Sequence, residues 1–223
     1  MLDWCYLCGA TEKLTRDHIP PSNLFPDPKP TNLITVSCCK SCNEGFSKDD
    51  EAFRFWVSTS MFRSGAGEWI WQNKVVPSLF ERNRKLAQNA RSFLGFRKLA
   101  AGGGEIELPA LGFPRERVER YMIRISKGLL RHFHPEYDYS QDVFDVKDML
   151  PSPEGIELLR RLTEQLPLYE ERGDGVFRFW RGFPQNRPNN GAWIFLFYNG
   201  ACFFVLHGKN LSELKKGSGP PTT

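Results

Sequence analysis

Along the first 40 residues, apolar positions come in short runs broken by Pro, Gly, Asn and Asp. Lys13-Leu14-Thr15 and Asn32-Leu33-Ile34-Thr35-Val36 predict two short strands, joined by a long Pro-rich loop from Pro20 to Pro30. From Cys39 the pattern changes, and Phe46, Phe53, Phe55, Trp56 and Val57 predict a helix reaching about residue 62. The opening segment therefore reads as strand, loop, strand, helix.

Further along, Trp69-Ile70-Trp71, Val75-Val76 and Leu79-Phe80 precede Arg82, Arg84, Lys85 and Arg91, which predicts one or two amphipathic helices with a basic face over residues 68 to 93. Ala100 to Gly104 marks a flexible break or hairpin tip, and Glu105-Ile106-Glu107-Leu108 alternates like a strand. Pro114 stands at a helix entry. Val118, Tyr121, Met122, Ile125, Leu129 and Leu130 follow at helical spacing, which predicts a buried helix over 114–133. Val143 to Val146 predicts a strand, and Ser152-Pro153-Glu154 a capped helix start. The aromatic segments Val176–Trp180, Ala192–Tyr198 and Cys202–His207 predict antiparallel strands, the last two joined by a two-residue turn at Asn199-Gly200. Residues 213–223 read as a disordered tail.

A chain of 223 residues can bury a sizeable core in one domain or two. It holds no apolar run of about 18 residues, and Met1-Leu2-Asp3-Trp4-Cys5 lacks the pattern of a signal peptide, so the expected location is the cytoplasm. The net charge of +4 says little, but its distribution says more. Residues 1–52 carry five basic and eight acidic side chains, and residues 53–140 fifteen and eight. That basic excess predicts a surface for a polyanion next to the acidic segment.

Five of the six cysteines fall in the first 42 residues, four of them as Cys5-x-x-Cys8 and Cys39-x-x-Cys42. Such pairs stay as thiols in a reducing compartment, close a tetrahedral zinc site and supply folding energy that a small hairpin lacks. Cys38 leaves open which thiol of its neighbourhood is used.

Inside this frame lie Arg16-Asp17-His18-Ile19-Pro20-Pro21-Ser22, Asn32-Leu33-Ile34 and Cys39-Lys40-Ser41-Cys42-Asn43. Together with Cys5-Tyr6-Leu7-Cys8-Gly9, these four ordered elements closely resemble the HNH endonuclease family over about the first 50 residues. Phosphodiester cleavage needs a nucleophile, neutralised phosphate charge and help for the leaving oxygen. Asp17 and Asn43 offer oxygen ligands for a hard cation, while His18, on the other side of its strand from Asp17, suits proton transfer near neutral pH. The resemblance implies His18 as general base, Asp17 and Asn43 as ligands of a catalytic Mg²⁺ or Mn²⁺, and Asn32 as the residue that braces the loop and orients His18. Asn43 stands where the family often has histidine, a variant that favours oxygen-seeking metals.

Other features have blander readings. Lys48, Asp49, Asp50 and Glu51 read as a solvated charged face, with Lys48 on a phosphate as the alternative. Arg16 suits a phosphate contact or a surface salt bridge equally. Arg82, Arg84, Lys85, Arg91, Arg97 and Lys98 form the densest basic stretch and the candidate nucleic-acid contact. Trp69 and Trp71 read as core rather than base-stacking residues. His132 and His134 read as packing or capping residues rather than a second metal site, and Cys202 and His207 as sheet residues.

The expected fold is α+β: a zinc-stapled ββα-metal (HNH) module over residues 1–62, then a mixed helical and antiparallel-sheet region over 63–212 that serves recognition, then the tail. The expected activity is metal-dependent hydrolysis of nucleic-acid phosphodiesters, DNA ahead of RNA, leaving 5′-phosphate and 3′-hydroxyl ends. Compact bacterial and phage members of the family act in defence, mobility or restriction. The alternatives are a zinc-dependent nucleic-acid-binding module without catalysis, or an effector subunit silent until a protein partner or a second copy engages the C-terminal region.

Overall fold

The computed structural model describes residues 3–59, 63–78, 94–101, 104–111, 114–149, 153–183, 188–209 and 211, with backbone alone for 94–101, 104–111 and 153–154. Strand β1 (Leu14–Ile19) pairs antiparallel with β2 (Ile34–Cys39), from Leu14 opposite Cys39 to Ile19 opposite Ile34. One face of this hairpin is buried through Asp17, Ile19, Ile34, Val36 and Cys38. β1 runs further than Lys13-Leu14-Thr15 suggested because Ile19 extends the buried alternation past the polar Arg16-Asp17-His18 run.

The helix expected from Cys39 onward is two helices, α1 (Lys40–Gly45) and α2 (Ser47–Ser58), parted at Phe46. Gly45 weakens helix continuation there, and the Phe46 ring lies beneath the guanidinium of Arg124, 4.5 Å from its centroid. Helix α3 (Gly65–Ile70) starts at the Ser64 cap and runs into a wider turn over Trp71–Val75. Trp69 and Trp71 are partly buried against the core there, as read from their apolar surroundings.

Strands β3 (Leu94–Ala101) and β4 (Gly104–Leu111) pair about a two-residue connection, as the glycine run predicted. Arg97 and Lys98, which close the densest basic stretch, lie on β3, where Leu94–Ala101 pairs residue by residue with β4. Arg82, Arg84, Lys85, Arg91 and the segment 213–223 fall outside the described residues.

Helix α4 (Arg115–Phe133) buries the six apolar residues named from its periodicity. After it come β5 (Val143–Met149), α5 (Pro153–Gln165), β6 (Leu168–Arg172), β7 (Phe177–Gly182), β8 (Asn190–Phe197) and β9 (Ala201–Gly208). The five strands form one antiparallel sheet in the order β5-β9-β8-β7-β6. β6 escapes pattern recognition because Leu168 and Tyr169 are exposed on an edge strand whose remaining residues are charged. The β8–β9 connection holds three residues, since Phe197 pairs with Ala201. Tyr198 enters the left-handed region with Asn199, while its buried hydroxyl donates to the Leu24 carbonyl at 2.5 Å.

One apolar core joins the hairpin, α2, α4 and the five-stranded sheet. Phe53 of α2 stands where they meet, stacked on Tyr121 of α4 at 4.0 Å and edge-on to Phe197 of β8 at 5.0 Å. Gly128 lets α4 come down onto β1, because a Cβ there would lie 2.5 Å from Ile19 Cδ1. Among the described residues no helix is long and apolar enough to cross a membrane.

Truncating this central ring should be costly. Phe53→Ala is expected to lower stability by about 3–5 kcal/mol in urea denaturation, whereas Ile156→Ala on the exposed face of α5 should change it by less than about 0.5 kcal/mol. Equal effects would mean that Phe53 does not hold the elements together.

Candidate functional site

The four paired cysteines converge at the open end of the β1–β2 hairpin. Cys5 and Cys8 sit on a turn closed by Gly9 N–H to the Cys5 carbonyl at 2.8 Å and Cys5 N–H to the Ala10 carbonyl at 2.7 Å. Gly9 takes a positive φ of 77° there, which costs glycine little. Cys39 ends β2 and caps α1, its sulfur accepting from the Cys42 N–H at 3.5 Å. Tyr6 N–H to the Ser37 carbonyl, at 3.0 Å, ties the two turns together.

The Sγ atoms of Cys5, Cys8, Cys39 and Cys42 all lie within 4.8 Å of one another, and none of these cysteines is in a disulfide. A zinc ion with bonds of about 2.3 Å sets tetrahedral S···S edges of roughly 3.8 Å, so the four sulfurs fit a structural zinc ion. The Ser41 hydroxyl and then the Cys42 N–H bring the Cys39 thiol down to about 6, while burial pushes the neighbouring Cys42 thiol well up, so Cys39 is the readier of the two to lose its proton. Cys38 answers the question of the fifth thiol. Its side chain is buried 3.9 Å from Cys5, and burial, followed by the charge of Cys5, pushes its thiol well up. It stays outside the four-sulfur group.

Asp17 and His18 lie next to each other on β1 with opposite exposure: Asp17 is buried and His18 half-buried. The His18 imidazole has no hydrogen bond or ion pair among the described residues. It shares its face of the hairpin with Thr35, its cross-strand partner, and with exposed Arg16, whose Nη2 donates to Thr35 Oγ1 at 2.8 Å rather than forming a salt bridge. Asn43 on α1 donates from Nδ2 to Thr15 Oγ1 at 3.2 Å, two residues before Asp17 on the same side of β1. Asn32 is exposed just before β2. No hydrogen bond joins Asn32 to His18 or Asn43 to Asp17 among the described residues.

Asp17 is instead held by Tyr6, a spacer position of the first Cys-x-x-Cys pair, and by Arg124, which lies in no motif. Tyr6 donates its hydroxyl to Oδ2 at 2.7 Å, and Arg124 Nη2 donates to both oxygens at 2.9 Å. The same guanidinium reaches Asp50 Oδ1 from Nη1 at 2.5 Å and the Tyr6 hydroxyl from Nε at 3.2 Å. Burial, opposed by Arg124, pushes the Asp50 carboxyl up to about 6. Three donors already fall on the two Asp17 oxygens and the buried Arg124 charge lies against them, so the Asp17–Asn43 pair does not fit a divalent cation in this arrangement.

The run Lys48 to Glu51 is not simply a solvated face. Asp49 is buried and accepts from Arg117 Nε at 2.9 Å and Nη2 at 2.6 Å, and from Arg120. Arg117, Arg120, Arg124 and Arg131 recur at intervals of three, four and seven, so they line one face of α4. Arg131 completes the ladder by donating to Asp3 at 3.2 Å and lying 4.2 Å from the Trp4 ring centroid. The signal was in the sequence as an arginine period on a helix and an Asp-Asp pair at the start of another, but no motif connects elements some 70 residues apart.

Away from this centre, His207 on β9 is buried with its Nδ1 3.0 Å from Asp142 Oδ2. His132 and His134 are shifted down by burial. Among the described residues the four cysteines are the group that gathers as metal ligands. Comparison of the chain with family models, characterised proteins and solved structures found no match.

Zinc is expected to copurify at about one ion per chain. Its removal by a chelator, or Cys42→Ser, should lower stability by about 3 kcal/mol or more, while Cys38→Ala should keep the metal. Metal analysis with thermal unfolding checks this, and zinc-free protein of unchanged melting temperature would refute the assignment.

Proposed function

We propose that the hairpin and α1 form an HNH-type nuclease module and that the chain hydrolyses phosphodiester bonds of nucleic acid, with DNA the first substrate to test. One observation carries the reading. The Asp17-His18 pair lies on the strand that leads from one cysteine turn, Asn43 follows the other turn, and the four sulfurs between them lie within 4.8 Å. That is the order and spacing the resemblance calls for, with a metal-ready staple at its base.

His18 suits the general base. Half-buried, and without a hydrogen bond among the described residues, it can take a proton from water as the oxygen attacks phosphorus. The bond from phosphorus to the 3′ oxygen then breaks, and that oxygen takes a proton to leave 5′-phosphate and 3′-hydroxyl ends. Exposed Arg16 on the same face offers a guanidinium to the phosphate. No step is assigned to a Mg²⁺ or Mn²⁺ ion, because Asp17 is occupied by Arg124 and Tyr6.

That occupation favours a second reading, in which the zinc-stapled module binds nucleic acid without cutting it. A nicking and linearisation assay on plasmid, single-stranded DNA and RNA, run with no metal, Mg²⁺, Mn²⁺ and Ni²⁺, separates the two. The nuclease reading expects cleavage that His18→Ala lowers by about 10²-fold or more at unchanged melting temperature. Wild-type rates in His18→Ala would exclude His18 as base, and tight binding with no cleavage under any condition would favour the second reading.

A further inference from the structure

Arg124 takes no part in the proposed hydrolysis, yet its side chain is 1 % exposed and all three of its nitrogens donate to buried partners. Two carboxylates, Asp17 and Asp50, and the Tyr6 hydroxyl meet it edge-on, while Phe46 lies against its face at 4.5 Å. The carboxylates come from β1 and α2, and the cation comes from α4, more than 70 residues later. Two negative groups thus converge on one positive one, inside a module whose resemblance assigns Asp17 to a divalent cation.

We propose that Arg124 is a built-in cation that competes with a divalent metal ion for Asp17 and Asp50, so that the carboxylate pair accepts metal only when α4 withdraws the guanidinium. The inference rests on reading Asp17 as the metal-facing position of the nuclease module. Mutual exclusion follows from space and charge. A hard divalent ion needs carboxylate oxygens at about 2.0–2.6 Å, and the space between Asp17 and Asp50 where it would sit is filled by Nη1 and Nη2 of Arg124. A second cation between them would also face the guanidinium at close range in a poorly solvated interior.

The neighbouring rungs of α4 are less enclosed than Arg124. Arg117 and Arg120 meet buried Asp49 from more exposed positions than Arg124 does, and solvent and salt screen such pairs more readily. A nucleic-acid backbone reaching α4 competes with Asp49 for the same guanidinium groups.

The test is Mn²⁺ binding to the zinc-loaded full chain, followed by calorimetry and by the paramagnetic resonance of free Mn²⁺. Wild type and Asp17→Asn should behave alike, with no Asp17-dependent site up to about 1 mM. Arg124→Ala should bind Mn²⁺ at least about tenfold more tightly than wild type, and adding Asp17→Asn should remove that gain. A wild-type site that Asp17→Asn abolishes overturns the proposal, as does a folded Arg124→Ala that binds no better than wild type. Should Arg124→Ala fail to fold, the comparison of wild type with Asp17→Asn decides alone. His18-dependent plasmid cleavage is scored separately. An Asp17 site in wild type with such cleavage sinks the competition and leaves the nuclease reading standing, and a metal gain in Arg124→Ala with no cleavage by any variant does the reverse.

Discussion

The arrangement of this chain depends on one buried cation. A guanidinium removed from water costs several kcal/mol unless its charge and its donors are met, and deleting one partner of such a cluster typically costs about 3–5 kcal/mol. Arg124 is met by Asp17 from the hairpin, Asp50 from α2 and Tyr6 from between the first two cysteines. None of these elements can take its place without the others. The hairpin, the two short helices after it and the long helix α4 are therefore one electrostatic unit, in which α4 serves the opening module as much as it serves the sheet.

The thiolates and the guanidinium act on opposite needs of the same hairpin. A six-residue strand pair buries too little apolar surface to be stable alone. Its open end is drawn together by four sulfurs, and its inner face is closed by Ile19, Ile34 and Val36 on the common core and by Asp17 on Arg124. With both fixed, the outward face presents His18, Arg16 and Thr35 on a rigid support. Rigid support is what the proton transfer proposed for His18 would require, since its worth would depend on a reactant held within hydrogen-bond reach.

Local regularities were readable without coordinates. The helical spacing from Val118 to Leu130 marked α4, the aromatic alternation marked β7, β8 and β9, and the doubled Cys-x-x-Cys marked the four-sulfur cluster. The break at Phe46, the edge strand β6 and the burial of Asp49 were not readable, for one shared reason. Each depends on a partner from another element: Arg124 on Phe46, the neighbouring strand's Trp180 beside Tyr169 at 5.0 Å, and Arg117 and Arg120 on Asp49. Periodicity reports which face of an element is buried, and says nothing of which charged partner it meets. Asp17 was read as a ligand of a divalent metal ion; in the structure its carboxylate holds the guanidinium of Arg124 instead.

The distribution of charge takes a different meaning in this light. An acidic first quarter followed by a basic stretch suggests a polyanion surface, because like charges seldom gather without an external partner. Here many of the partners are internal. Arg117, Arg120 and Arg124 face Asp49, Asp50 and Asp17, Arg131 faces Asp3, and Lys74 faces Asp27. These are pairs between the acidic segment and the basic one, so the imbalance is in good part a complementarity code that docks the second segment on the first. Any polyanion that this chain binds must therefore compete with its own carboxylates for those groups. A phosphate that displaced one of those carboxylates would loosen what the arginine holds, so in that event binding and internal rearrangement would be one equilibrium.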